Sequence, residues 1–280
     1  MEPKIIFEDE EILVLNKPAG MTVNKAETTV GETTVQDWVE NKFKVQSSKF
    51  KIDEESDFYK RAGIVHRIDK ETSGILITAK TPEAFSNLQA QFKERKVKKT
   101  YTALTHGKIE GDGEIVVPVG RLPWNRMRFG VLAGGKEAVT KYHLLSVFGF
   151  RLSASGSSVI QSIGQTDEQI DLDLKTENRK LTTEYLSLLE VYPETGRTHQ
   201  IRVHLKYINH PIFADELYAG RKTARRDRKY LSRFFLHASK ISFFHPKKGN
   251  TLSFESPLPN DLQTFLDQLK VSSPTFQVGR

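Results

Sequence analysis

"GIVHRIDKETSGILITAK", residues 63–80, starts apolar, packs five ionisable residues between His66 and Glu71, and turns apolar again from Ile75. Its second half, Gly74–Lys80, has the composition of a buried strand. The following "TPEAFSNLQAQFKERKV" reads as a helix, with Thr81 as N-cap, Pro82 in the first helical position, and Phe85, Leu88 and Phe92 along one face. The charged stretch therefore lies where the chain enters its own core, and two explanations are open for Arg67 and Asp69 standing one residue apart. One is a capped turn in which Asp69 accepts backbone N–H bonds, and "HRxD" alone favours it. The other is a reactive carboxylate. Such a group at the edge of an apolar strand is expensive unless paired. Thr72-Ser73-Gly74 would fix its direction in a tight loop, and "GRTHQIR" (196–202) offers Arg197 and Arg202 as cations from a distant helix.

Outward from this stretch, "KIIFEDEEILVLNKPAGMTV" (4–23) predicts two short strands ending in a Pro-Gly turn. Val35, Trp38, Val39 and Phe43 fall at helical spacing over 35–45. "KTYTALTHG" (99–107) alternates as a strand, as do "AVTKYHLLSVFGF" (138–150) and "TTEYLSLLEVY" (182–192) around a polar insertion near 152–182. Ile201, Leu205 and Ile208 suggest a helix started near Thr198; strands over 234–244 and 251–256 and a helix over 261–270 close the chain. Many antiparallel-looking strands without βαβ alternation imply an α+β fold, with a mixed, largely antiparallel central sheet and flanking helices. With no repeat and no convincing linker, residues 1–280 read as one domain.

The 280 residues include no Cys, which excludes disulfides and thiolate chemistry and fits a reducing cytoplasm. No apolar run approaches membrane-spanning length, and the N-terminus lacks signal-peptide features. The net charge of +7 favours an acidic partner such as nucleic acid. Residues 221–248 carry ten Lys/Arg (Arg225, Arg226 and Arg228 among them) against the single acid Asp227. "KERKVKK" (93–99), with Lys98 and Lys99, adds a second basic run. Either run is a solvated face or a phosphate-binding one. No phosphate-cradling glycine motif appears, and His199, His204 and His210 are not spaced as metal ligands on one helix face.

"HRIDKETSGILITAK" resembles the "HRLDxxTSG" signature of the RluA-type RNA pseudouridine synthases. "KKTYTALTHG" is similar to their "KxYxAxVxG" segment, and "GRTHQIRVHLKYINHPIFADELYAG" to their "GRTHQIRxHLxxxGHPIxGDxLYG" segment. "NKPAGMTV" and "FFLHASKISFFHP" fit in the same order, so the resemblance runs from about residue 5 to 256. Asn209 and Ala214 stand where the family has Gly, and Asn24 where His is common. An N-terminal S4-like RNA-binding domain, frequent in the family, is not expected.

The resemblance implies the pseudouridine synthase catalytic fold and a cofactor-free, metal-free isomerase acting on uridines in structured RNA. Large-subunit rRNA is the first expectation and tRNA the second. It makes Asp69 the catalytic aspartate, Tyr101 the active-site tyrosine, Arg202 the basic partner of the aspartate, and Arg67 the residue that replaces the flipped nucleotide. Arg197, Lys98, Lys99, Arg225, Arg226 and Arg228 are the expected RNA contacts. A cytoplasmic monomer with no membrane association completes the expectation. Two rivals stand beside it: a silent RNA-binding relative, opposed by the intact Asp69, Tyr101 and Arg202, and a glycoside hydrolase, which needs a second carboxylate that no motif supplies.

Overall fold

The computed structural model describes residues 1–44, 56–152 and 182–271. All but the edges of the polar insertion expected near 152–182 lie outside them. The chain forms two compact units: Met1–Tyr101 with Tyr192–His199 and Leu236–Leu258, and Thr102–Val191 with Gln200–Phe235 and Pro259–Arg280.

In the first unit the strands β1 (Lys4–Glu8), β2 (Ile12–Lys17), β3 (Ser73–Ala79) and β10 (Leu236–Phe244) lie side by side in that order, with β11 (Thr251–Glu255) also paired to β10. All are antiparallel except β3 and β10. β3 is buried at every residue because both of its faces are covered. Ile75 and Ile77 join Ile12 and Val14 beneath Ala84, Phe85 and Leu88 of helix α3 (Pro82–Lys93). On the opposite face Leu76 joins Leu13 and Leu15 against Val35 and Val39 of helix α1 (Val35–Lys44). The two-residue alternation of the strands thus feeds two separate cores. Thr81 caps α3 as its sequence predicts, its hydroxyl accepting from the Ala84 N–H at 3.2 Å. A one-turn helix, α2 (Asp57–Lys60), precedes the loop to β3.

The second unit contains the strand order β4 (Lys98–His106), β9 (Thr182–Pro193), β8 (Val139–Leu152) and β5 (Gly113–Val116). The ends of β4 and β9 belong to the first unit. A separate two-stranded antiparallel sheet is formed by β6 (Val119–Leu122) and β7 (Asn125–Val131). Helix α4 (Gln200–Tyr207) packs on β7 and β8, and helix α6 (Asn260–Val271) on β8. Helix α5 (Arg221–Asp227) completes the unit.

The α+β class and the mainly antiparallel pairing agree with the sequence reading. So do the elements anticipated on either side of the insertion. Two departures have physical reasons. α4 begins at Gln200 rather than near Thr198, because His199 takes φ +57° and cannot continue a right-handed helix. The short strands of residues 113–131 were not anticipated; β7 is exposed over its first four residues, so its apolar pattern is too brief to register. Among the described residues no helix is long and apolar enough to cross a membrane.

Candidate active site

The "HRID" loop enters β3 through a tight turn in which the Thr72 N–H donates to the Asp69 carbonyl at 3.1 Å. The residues around it face in opposite directions. His66 points inward: its Nε2 accepts from the Ile77 N–H at 2.9 Å and its ring stacks on Phe92, centroids 4.8 Å apart. Burial, helped by the charge of Lys99, lowers its pKa to about 3, so the ring is neutral and its proton sits on Nδ1. Ile68 is buried against Leu13 and Leu76. Arg67 is exposed, and Asp69 is only partly covered.

Behind the loop the motif residues act as fasteners. Ser73 Oγ is 2.9 Å from His237 Nδ1, and His237 Nε2 is 3.0 Å from the Ser256 carbonyl. A carbonyl only accepts, so Nε2 carries a proton and the ring bridges Ser73 to the Ser256 backbone. Gly74 takes φ +112°, and a Cβ there would strike the Ala238 backbone. Lys17 of "NKPAG" is fully buried, and its ammonium donates to the carbonyls of Pro18, Met21 and Lys70 at 2.9, 2.8 and 3.0 Å. Three donors meet three acceptors, which offsets the cost of taking the charge out of water. The Gly20 N–H also donates to the Lys70 carbonyl, so the turn after β2 grips the residue next to Asp69. This role of Lys17 was not foreseen; a lysine ending the strand whose first four residues are apolar was the available signal.

Two side chains of the same unit face Asp69. His199 brings Nε2 to 4.0 Å from Asp69 Oδ2 from a left-handed backbone conformation. The Tyr101 hydroxyl has its pKa pushed up, by burial first and by the negative charge of Asp69 second. Tyr101 is therefore a phenol, able to donate, throughout the physiological range. The sequence motifs single out Tyr101 for the site and give His199 no role in it. Lys99, two residues before Tyr101 and so on the same strand face, reaches the Thr195 carbonyl at 3.2 Å. Burial lowers its pKa to about 8. Lys98 is exposed, and Arg197 is partly buried in the loop before α4.

In the second unit Arg202 of α4 is buried against Asp215. The pair is bidentate, Nε to Oδ2 at 2.7 Å and Nη2 to Oδ1 at 2.9 Å, with the guanidinium lying over the rings of Tyr218 and Phe234. The Asp215 carboxylate also accepts from the Leu217 and Tyr218 N–H groups. Asp215, to which the motifs give no role of its own, is the carboxylate that fixes Arg202. Asn209 and Ala214, the two departures from family glycines, have φ +63° and +62°. That is the left-handed region in which glycine is least strained.

The basic run is less available than its sequence suggests. Arg226 forms a two-pronged bond with Glu184, and Arg228 donates to the Ala214 carbonyl at 2.8 Å and to Ser232. Arg225 is exposed and forms no ion pair among the described residues. Nor among them do three His, Asp or Glu side chains converge as a metal site requires.

This α+β architecture recurs in two solved structures. Human RNA pseudouridylate synthase domain containing 1 aligns with TM-score 0.63 at 22% identity over 100% of this chain and 91% of its own. Human RNA pseudouridylate synthase domain containing 4 aligns with TM-score 0.61 at 21% identity over 95% and 92%. The sequence then narrows the class: the model of the RNA pseudouridylate synthase family matches residues 11–207, and the chain belongs to that family. It is 36% identical over 276 residues to the ribosomal large subunit pseudouridine synthase D of Neisseria meningitidis serogroup B, covering 96% of this chain and 62% of the relative. An uncharacterized RNA pseudouridine synthase of Bacillus subtilis is 34% identical over 96% of this chain and 74% of its own. The chain thus spans less than two thirds of the length of several curated relatives it matches.

Proposed function

We propose that this protein isomerises specific uridines in structured RNA to pseudouridine, with large-subunit rRNA as the substrate and its two units serving as one catalytic domain. The observation that carries the reading is Asp69, held in a loop clamped from behind and faced by the protonated Tyr101 and by His199. Family membership and the names of the relatives support the reaction and the rRNA substrate.

In this reading the target uridine leaves its stack, at a cost on the order of a few kcal/mol, and the exposed Arg67 takes up the vacated contacts. The C1′–N1 bond breaks, the uracil turns, and a C1′–C5 bond forms; C5 gives up a proton and N1 gains one, so the product is an isomer. Asp69 serves the step at the sugar as a carboxylate, and Tyr101 supplies a stacking surface and a hydroxyl beside it. Arg202, matched by position to the family's basic residue, is assigned to the same chemistry, with Asp215 fixing its guanidinium. Lys98, Lys99, Arg197 and Arg225 are assigned to the RNA backbone. Arg226 and Arg228 are assigned there only through charge left over from their protein partners.

The test is to incubate large-subunit rRNA and tRNA transcripts with wild type and Asp69→Ala, then map pseudouridine. Wild type is expected to modify the rRNA at defined positions, and Asp69→Ala to form no product. Site-specific product from Asp69→Ala would overturn the assignment of Asp69. Product in tRNA alone would overturn the choice of substrate.

A further inference from the structure

The β6–β7 hairpin presents an arrangement that neither the motifs nor the proposed chemistry uses. Its turn is Pro123-Trp124, and Trp124 is 76% exposed and Met127 78% exposed. Single exposed apolar side chains are ordinary, but two large ones on one short hairpin, set among cations, make a local apolar patch of the kind that marks interaction sites. From Val117 to Lys136 the chain has four cations (Arg121, Arg126, Arg128, Lys136) and no acid.

The hairpin is built to hold these groups out. At its base Phe129 and Val131 pack with Val119, Ala138, Val203 and Tyr218. The ladder shifts register between Arg121 and Leu122, so residues 126–128 bulge from the pairing. Arg121 fixes the bulge by donating to the Arg126 carbonyl at 3.0 Å while lying 5.0 Å over the Phe129 ring. Arg126 and Arg128 themselves are exposed and form no ion pair among the described residues. At the root, the Phe129 N–H donates to the Tyr218 hydroxyl at 3.1 Å, and the same Tyr218 ring lies under Arg202. The hairpin is thereby joined to a residue already assigned to the chemistry.

We propose that this hairpin is a binding element for unpaired RNA, with Trp124 stacking on an exposed base and Arg126 and Arg128 engaging the flanking phosphates. An aromatic tip interleaved with unpaired arginines matches the two features of a single strand that do not depend on sequence, its base faces and its phosphates. A protein partner fits less well, since the patch offers no acid and pairs its apolar groups with exposed cations. The proposal rests on the proposed function only in taking RNA as the partner.

The test uses fluorescence anisotropy with the full chain and two probes, a labelled RNA hairpin with an all-uridine loop and the same sequence closed as a continuous duplex. Trp124→Ala is expected to weaken loop binding roughly 5- to 150-fold, from a stacking contribution of about 1–3 kcal/mol, and to leave duplex binding and the salt slope unchanged. Arg126→Ala with Arg128→Ala is expected to lower the slope of log affinity against log salt by about 1.4, the loss of two single-strand phosphate contacts. The chain has two tryptophans, so in a Trp38→Phe background the loop probe is expected to quench Trp124 directly, whatever the stability of the alanine variant. Unchanged loop affinity with Trp124 unquenched would overturn the proposal. A change in self-association with RNA affinity intact would overturn it in favour of a second copy of the chain. Mapping pseudouridine in the same wild-type and Trp124→Ala samples separates this idea from the function. Trp124-dependent binding without pseudouridine formation keeps the hairpin and sinks the isomerase; the reverse outcome sinks the hairpin alone.

Discussion

Two cationic regions of this molecule differ in a way that counting charges conceals. Residues 221–248 hold ten Lys/Arg against one acid in the sequence. Folded, many meet acids from elsewhere: Arg226 meets Glu184, Arg233 meets Asp261, Lys240 meets Glu255, and Lys247 meets Glu11. The 119–131 hairpin has only Arg121, Arg126 and Arg128, and the last two are exposed and form no ion pair among the described residues. A cation paired within the fold has little charge left for a phosphate, whereas an exposed, unpaired one releases counterions when RNA arrives. The "HRID" stretch repeats the lesson on a smaller scale, with His66 turned into the core and Arg67 turned out.

If inward polar groups are structural, removing their partners should cost stability and leave the salt dependence of RNA binding alone. The largest effect is expected at Asp215, which has no exposed surface and carries Arg202 in two bonds. Asp215→Ala takes from a buried guanidinium the carboxylate that holds it in two bonds and should destabilise the protein by about 3–5 kcal/mol, measured by urea unfolding. A loss well under 1 kcal/mol would show that water reaches Arg202. His66 comes next. Its folded pKa of about 3 lies below the ordinary value of 6.5, so below pH 6.5 the unfolded chain binds a proton that the folded chain refuses. Stability should therefore fall as the pH drops from 6.5 toward 4.5, approaching about 1.4 kcal/mol per unit. His66→Asn should flatten that window. An unchanged slope would place the titration on another group.

How much of this was legible follows from where each signal originates. Strands β2 and β3 announce themselves because burial on both faces requires unbroken apolar runs. Asp69 and Tyr101 stand out through local motifs, and the fold brings Tyr101 within reach of the Asp69 charge. Lys17, Asp215 and His199 were underrated because their importance lies in partners that only folding supplies: three carbonyls, one guanidinium and one carboxylate. The same limit hid the pairing of Arg226, whose acid is 42 residues away. The family glycines replaced by Asn209 and Ala214 were legible as positions but not as conformations, and they give a smaller prediction. Ala214→Gly should relieve the left-handed backbone and stabilise the protein by about 1 kcal/mol. Destabilisation in thermal melts would mean that the Ala214 methyl packs well enough to outweigh its strain.

The smallest effect on folding, and the sharpest use of the comparison, is expected at adjacent arginines of one helix. Arg225 and Arg226 neighbour each other on α5, but Arg225 is exposed while Arg226 is held by Glu184 and lies near Asp227. Arg225→Ala should leave the thermal midpoint unchanged and lower the salt slope of rRNA-fragment binding by about 0.7–0.9 for one phosphate contact. Arg226→Ala should do the opposite, lowering the midpoint with little change in slope. Because the two differ by one residue, a diffuse electrostatic field would change both slopes alike. Equal slope changes would therefore show that the run acts through its total charge, and the distinction between spent and free cations would fail where it was drawn.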